Sequence, residues 1–432
     1  MQKPFILMSS IPIDPSLLYI PGTQRVADGE TTLANISPHL EKIGVTRIAN
    51  ITDLDRVGIP VFSAIRPGAA EGAISVYSGK GATREQARIS AMMESYERCL
   101  AERPGFNANI PDPVGAEEFI ESPGNAREQH AIVDPVSLLP AEPPAPGSLV
   151  EWTQGFDLLS GEVVFVPSNA VYHPYTPPGR SSRLFRSNTN GLAAGNVMEE
   201  ALLHGLLEVI ERDALSMAEF NRNPGKRLVL SEGDGDLFEL LELFTRAEVA
   251  VSLWVLIHDT PVTTVVAATD DVRLKDPALL VMGAGSHLDP RIAVRRALTE
   301  AAQSRVVQIH GAREDTSREE FVRQIGYDRI KRMNGFWYET GDTITPAEMT
   351  DLSTPSPAEN IDKVLNYLRN IADRVIAVDL SRSSIPVPVV RIVIPEFEQY
   401  TLDRERVGHR VRLVGKRAGQ SREKPWKRRP KV

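Results

Sequence analysis

The sequence is short of cysteine. Among 432 residues there is one, Cys99, so no disulfide can form within the chain and no cysteine-rich zinc site can be built. Histidine is sparse too, at 8 residues, which leaves few donors for a zinc or iron centre. No run of about 18 apolar residues occurs, and the opening MQKPFILMSS is too broken for a signal peptide. The chain therefore reads as soluble and cytoplasmic, with no membrane partner. Nor is there an excess of positive charge. The formal net charge is −8, and nucleic acid is not expected as a partner.

What is present is ordinary in bulk, 42% hydrophobic and 25% charged. That suffices for two or three domain-sized cores or for one large α/β unit. Proline and glycine divide the chain. A helix is expected over 31–43, strands broken by a Pro-Gly turn over 59–78, and a helix over 83–100. The proline-rich stretch 104–149 reads as irregular surface. Short strands follow over 150–172 around Ser160 and Gly161, then a long helix over 197–220. Strands over 249–270 and in ALLVMGAG (278–285) lead to a helix over 291–313. Late core strands fall in 374–394, where prolines favour an edge or an irregular start. From Arg404 the chain turns basic and ends SREKPWKRRPKV. The plain reading is a solvated tail, the sharper one an arm that contacts peptide or RNA. Three parts result: an N-terminal segment 1–50 packed on the core, a body 51–403 and a tail 404–432.

Several residues attract notice singly. Cys99 reads as a small, part-buried residue rather than a nucleophile. Asp270, Asp271 and Asp289 read as exposed-loop acids. DRVGIP near 55 reads as a turn before a strand or an edge of the site, and His173 as part of a surface turn.

A repeat carries the argument. The segments SGKGATREQARISAMMESYER (78–98), NGLAAGNVMEEALLHGLLEVIER (190–212) and GAGSHLDPRIAVRRALTEAAQSR (283–305) align on Ala87, Ala201 and Ala293. Three residues on stand Ser90, His204 and Arg296. Seven on stand Glu94, Glu208 and Glu300. Ten on stand Glu97, Glu211 and Gln303. These offsets share one face of a helix. Each helix follows a glycine-bearing loop and an upstream strand, so one strand–Gly loop–helix unit occurs three times. The helices are apolar almost all round, which implies burial. Buried carboxylates need cations, and clustered glutamate oxygens suit Mg2+. Mg2+ with few dedicated protein ligands points in turn to a nucleotide whose phosphates complete the coordination. The Gly loops before helix starts, SGKG with Lys80 and NTNGLAAGN, fit phosphate, although neither is a P-loop. His204 reads as packed rather than ligating.

At these residues the chain resembles the YcaO family, over roughly 50–400. Ser90-x3-Glu94-x2-Glu97-Arg98, Asn196-x3-Glu200-x7-Glu208-x2-Glu211-Arg212 and Glu300-x2-Gln303 look like its three ATP/Mg2+ motifs. The resemblance implies a YcaO-type α/β fold and a catalytic, ATP-binding domain over 51–403. It makes Glu94, Glu97, Glu208 and Glu211 the Mg2+-facing carboxylates. It places Ser90, Asn196, Glu200, Arg212, Glu300 and Gln303 around ATP, with Lys80 near phosphate and Arg25 as the basic residue that members carry near the N-terminus. It implies activation of a backbone amide. A nucleophile adds to the amide carbon, the oxyanion takes the γ-phosphate of ATP, and phosphate leaves. A side-chain nucleophile gives an azoline, an external sulfur donor a thioamide. Azoline-forming members tend to end in PxPxP, which PWKRRPKV is not. VGIPVFSAIRP and SGKGATREQARISAMMESYER look more like the archaeal TfuA-associated branch. That branch implies thioamide formation on a glycine of the methyl-coenzyme M reductase α subunit, a TfuA-like partner, a sulfur donor and a homodimer. An azoline-forming cyclodehydratase and a non-catalytic nucleotide-binding scaffold are the alternatives.

Overall fold

A computed structural model describes residues 11–21, 23–105, 110, 117–312 and 319–412. Along the chain, α1 (Gly29–Ile36) is followed by β1 (Arg47–Asn50), β2 (Val61–Ile65), β3 (Val76–Lys80) and α2 (Arg84–Leu100). Next come β4 (Glu118–Glu121), α3 (Pro123–Gln129), β5 (Val150–Asp157), β6 (Val163–Pro167), β7 (Leu192–Ala194) and the long α4 (Met198–Asn221). Then follow β8 (Lys226–Leu228), α5 (Asp236–Arg246), β9 (Val249–Val255), β10 (Thr263–Asp271), β11 (Met282–His287) and α6 (Pro290–His310). The described chain closes with α7 (Glu319–Ile325), α8 (Tyr327–Met333), β12 (Thr343–Ile344), α9 (Pro357–Leu368), β13 (Ile376–Asp379) and β14 (Val389–Val393).

The architecture is mixed α/β. One sheet has the order β1-β2-β3, a second β11-β10-β9-β8-β12, and a third β4-β5-β13-β14-β7 with β6 also on β5. The pairings are antiparallel except β8 with β12. The three repeat helices lie where the spacing predicts them. α2 packs on β2 and β3, α6 on β10 and β11, and α4 on β7 and β14. Each also reaches into the next unit: α2 touches β7, α4 touches β11, and α6 touches β3. The contacts thus run in a closed cycle from unit to unit.

The repeat's alanines and glycines explain how closely these helices sit. Ala87, Ala201 and Ala293 are fully buried. A Cβ added to Gly79 of β3 would lie 1.9 Å from the backbone nitrogen of Ala91, and one added to Gly283 of β11 2.1 Å from that of Ala301. Backbone thus rests on backbone, and the helix cannot yield without leaving the sheet. Gly283→Ala is expected to destabilise the protein by about 1–3 kcal/mol or more, read from denaturant midpoints. An unchanged midpoint would show that the seam is looser than described.

Elsewhere the structure corrects the sequence reading. The helix expected over 31–43 stops at Ile36, because Pro38 tightens the chain into a 3-10 turn, Ser37–His39. The proline-rich 104–149 is not wholly irregular. It holds β4 and α3, the latter starting at Pro123 behind a Ser122 cap. The strand in ALLVMGAG begins only at Met282, since Pro277–Leu279 forms a 3-10 turn. His173 is half-buried, with Nδ1 3.1 Å from Ser187 Oγ, rather than in a simple surface turn. Asp289 is the N-cap of α6, accepting from Arg291 N at 2.8 Å.

The largest correction concerns Asp270 and Asp271, which are not loop acids. They end β10 and are buried. Asp271 accepts from Arg305 at 3.0 Å and from Arg56 at 2.7 Å, while Asp55 accepts from Arg305 at 2.8 and 3.0 Å. The DRVGIP turn is therefore a buried ionic latch behind α6, outside the cleft described below. Asp270 holds Lys331 at 2.6 Å and the Tyr327 hydroxyl at 2.5 Å. The described start of the C-terminal segment is also packed: Arg406 and Arg410 are buried, and the rest of that segment, 413–432, lies outside the described residues.

Candidate active site

α2, α4 and α6 present their repeat faces to one cleft of about 1580 Å3. All twelve residues singled out in the sequence line it: Arg25, Lys80, Ser90, Glu94, Glu97, Asn196, Glu200, Glu208, Glu211, Arg212, Glu300 and Gln303. The motifs come together because the three helices start from caps at equivalent turns. Thr83 caps α2 and Asp289 caps α6 through their side chains. At the start of α4 the Glu200 carboxylate does related work, accepting from Asn196 N at 3.0 Å and Asn196 Nδ2 at 3.1 Å. Glu200 also accepts from Val26 N at 2.8 Å, and Thr32 donates to Asn196 Oδ1 at 3.0 Å. Arg25 is exposed, with Nε 4.0 Å from Glu200. The N-terminal segment is thereby tied to the rim.

Deeper in, charge is unevenly matched. Arg98 lies 3.2 Å from Glu94 and 3.7 Å from Glu97, and Arg212 lies 4.0 Å from Glu208 and 3.9 Å from Glu211. Lys80 pairs with Glu300. Five carboxylates thus share three cations within ion-pair range. Burial pushes Glu97 well above the usual carboxylate range, and the neighbouring Glu208 and Glu94 charges add to this against Arg98. Burial also raises Glu208, and raises Glu211 with help from Glu300. Glu300 goes the other way: burial would raise it, but Lys80 and Arg212 outweigh burial. Glu211 Oε2, Arg98 Nε and Arg212 Nε are buried without a hydrogen-bond partner. Arg296 and Arg391 also act on these carboxylates from beyond ion-pair range, yet Glu97, Glu208 and Glu211 stay raised, and a divalent cation fits the unpartnered Glu211 oxygen and its raised neighbours.

The shell is not a closed cage. Among the described residues, no three of these glutamates bring ligand atoms within 4.8 Å of one another. That spacing suits Mg2+, which takes one or two carboxylates and fills its octahedron with water and phosphate. Asp213, His258 and Asp259 do lie that close, but a cation already joins them. Arg410 Nη2 donates to Asp213 at 2.7 Å and to Asp259 at 2.9 Å, and His258 Nε2 is 2.8 Å from Asp213. This group fastens the C-terminal segment to α4.

Residues 78–398 match the family described as YcaO cyclodehydratase, ATP- and Mg2+-binding. The chain belongs to the YcaO family. A protein of Methanothermobacter thermautotrophicus is 52% identical over 90% of this chain and 98% of its own. A Rhizobium leguminosarum protein encoded in the tfuA 3′ region is 32% identical over 87% and 88%. The solved YcaO of Methanopyrus kandleri, bound with AMPPCP and Mg2+, has 31% identity and a TM-score of 0.72, covering 89% of this chain and 95% of that one. A heterocyclase in complex with substrate and cofactor shares the fold at TM-score 0.74 and 19% identity, over 92% of this chain and 56% of that one. ATP and Mg2+ are thus the cofactors of this YcaO protein. ATP is expected to bind more tightly with Mg2+ than with EDTA in a calorimetric titration, and equal affinities would contradict the carboxylate reading. No helix among the described residues is long and apolar enough to cross a membrane.

Some cleft residues escaped the sequence reading. Arg296 is in the repeat register, yet its role was invisible until its Nη2 was placed 3.2 Å from His204 Nε2. Beside it His287 is buried, its imidazole brought down to about 3 by burial and by Arg296. His204, half-buried beside Arg296, is held well below the usual histidine range by loss of solvent and by the Arg296 charge. Both rings are therefore neutral near pH 7 and can accept a hydrogen bond.

Proposed function

We propose that this protein uses ATP and Mg2+ to activate a backbone amide of a protein or peptide and replaces its oxygen with sulfur. The substrate we infer is a glycine of the methyl-coenzyme M reductase α subunit, with a TfuA-like partner protein. The observation that carries the chemistry is the half-buried meeting of five carboxylates and three cations where three repeat helices converge. The subtype is supported by the kinship to the Methanothermobacter and tfuA-region proteins.

When bound, ATP supplies the phosphoryl group that turns the amide oxygen into a leaving group, and Mg2+ neutralises the charge that develops. Glu94, Glu97, Glu208 and Glu211 would hold the metal ions. Arg98 and Arg212 keep these like charges apart and oriented. Ser90, Asn196, Glu200, Glu300 and Gln303 would frame the nucleotide. Gln303 already donates to Ser78 O and Lys80 to Glu300, which fixes α6 to β3 and with it the floor of the cleft. Lys80 and Arg25, which line the cleft, would meet phosphate charge.

The test is mass spectrometry of the glycine-containing segment after incubation with the protein, ATP, Mg2+ and sulfide. The expected result is the mass gain of one oxygen-to-sulfur exchange, with ADP and phosphate released. A loss of one water from a segment bearing Cys, Ser or Thr would make the protein an azoline-forming enzyme instead. No change with the TfuA-like partner present would leave only nucleotide binding.

A further inference from the structure

A second, small cavity lies beside the cleft. Its volume is about 30 Å3, room for about two water-sized occupants. Arg391 of β14 and Arg406 line it, with Asn188, Asn190, Gln399 and Phe185. The two arginines are 5% and 4% exposed. Arg406 donates to the carbonyls of Leu138 at 2.5 Å and Leu139 at 3.2 Å, and lies 3.8 Å from the centroid of Phe185. Arg391 makes one long hydrogen bond, to Asn188 Oδ1 at 3.3 Å. Its Nε and Nη1 are buried and meet no acceptor. Among the described residues neither arginine has a carboxylate within 4.0 Å. Burial pulls each guanidinium down to about 10. One buried guanidinium with two unused donors, and a second buried cation beside it, outweigh the single unpartnered acceptor of this space, Asn190 Oδ1, and make a site for an anion.

We infer that this cavity binds a small anion, and that in the sulfur-transfer reaction proposed above, on which this part rests, the anion is hydrosulfide, the nucleophile itself. Size limits the choice. One or two heavy atoms fit the space, whereas phosphate has five, and hydrosulfide is the small anion that the proposed reaction consumes. Position supports it as well. Glu208 lines the cleft while its neighbour Val209 lines the cavity, and Thr189 lines the cleft while Asn190 lines the cavity. At both places consecutive residues of the chain face the two spaces. Charge supplies the need. A free anion is repelled from a glutamate-rich cleft, and two arginines beside it reverse the local potential. The step balances: sulfur bonds to the amide carbon, the carbon–oxygen bond breaks, and the oxygen leaves on the γ-phosphoryl group. The hydrosulfide proton ends on the released phosphate, and ATP becomes ADP.

Two measurements test this with the full chain. Crystals soaked in bromide should show an anomalous peak against Arg391 Nε and Nη1; a map without it overturns the anion site. In the coupled reaction, Arg391→Gln should raise the KM for sulfide by at least about tenfold, the value of a lost hydrogen bond to a charged group. Arg391 also bears on Glu97 and Glu208, so affinity for ATP with Mg2+ is measured alongside, and a loss there as large as the rise in sulfide KM overturns the assignment. Because Arg391 is buried and its loss can weaken the fold, Asn190→Asp provides a second variant that sets a fixed anion in the same cavity with little change of shape. It should raise the sulfide KM and abolish the bromide peak. A bound bromide with an unchanged sulfide KM in both variants overturns the hydrosulfide assignment. If the parent protein makes no thioamide at all, the sulfur-transfer reading fails and hydrosulfide with it, while the bromide map still decides the anion site.

Discussion

Replacing Glu211 by glutamine should lower nucleotide turnover by about a thousandfold, the scale of losing one preorganised electrostatic contact at a reacting phosphate, and yet give an apo protein that melts higher than the parent. The two effects share one cause. Glu211 is 2% exposed, its Oε2 has no hydrogen-bond partner, and its nearest guanidinium, at 3.9 Å, is shared with Glu208. Burial and the Glu300 charge raise its carboxyl above the ordinary value. A carboxyl raised by folding favours the folded state while it is protonated. That advantage is complete below the unfolded-state value and is lost as pH climbs through the folded one. Glutamine imitates the protonated form at every pH. The melting difference between variant and parent should therefore be near zero at acid pH and widen toward neutrality. Comparing the two proteins cancels Asp213, which folding shifts the other way, while Glu300, relieved of the Glu211 charge in the variant, adds to the same widening. ATP with Mg2+ should reverse the order of melting, because the parent alone holds the full carboxylate set. Thermal melts across pH, with and without nucleotide, check this together with a phosphate-release assay. A glutamine variant that keeps turnover within tenfold, or melts below the apo parent at neutral pH, would refute the metal assignment.

Arg305→Met should cost about 3–5 kcal/mol of stability, the range for removing one partner of a buried ion pair. Arg305 is fully buried on α6 and donates to Asp55 at 2.8 and 3.0 Å and to Asp271 at 3.0 Å. Methionine fills similar space but leaves Asp55 uncompensated. Arg56 still reaches Asp271, so the damage should fall mainly on the Asp55 side. The triple replacement Arg305→Met, Asp55→Leu, Asp271→Leu should recover part of the loss, since an apolar cluster need not be neutralised. Denaturant unfolding of both variants checks the ordering. Equal midpoints for parent and Arg305→Met would show the latch to be inert.

The contrast between these two sites shows what a sequence discloses. α2, α4 and α6 were legible because each carries apolar residues on nearly every face, and because one register recurs three times; the chance of that pattern arising on solvent-facing helices is small. Ser90, the five glutamates and Gln303 followed from the register, Lys80 from the glycine loop before α2, and Asn196, Glu200 and Arg25 only from the family resemblance. Asp271 was misread for the opposite reason. Its strand ends in two acids and a turn, which is how a loop looks, and its partners lie 34 residues away at Arg305 and 215 away at Arg56. No local pattern links them. Arg391 was hidden in PVPVVRIVIP, a run whose periodicity speaks of a buried strand and says nothing about what an arginine does there. Arg410 stands in a basic segment whose composition suggests solvation, yet it meets Asp213 one residue beyond Arg212. Long-range pairing decides these cases, and composition does not register it.

The cyclic contacts from α2 to β7, α4 to β11 and α6 to β3 make the cleft common property. Each helix turns its carboxylates toward a space bounded by the other two units, so a single unit would merely hold out acids to water. Nucleotide affinity then belongs to the closure of the circle and to none of its arcs. Loosening one seam anywhere, even far from the glutamates, would register in the ligand before it registered in the fold.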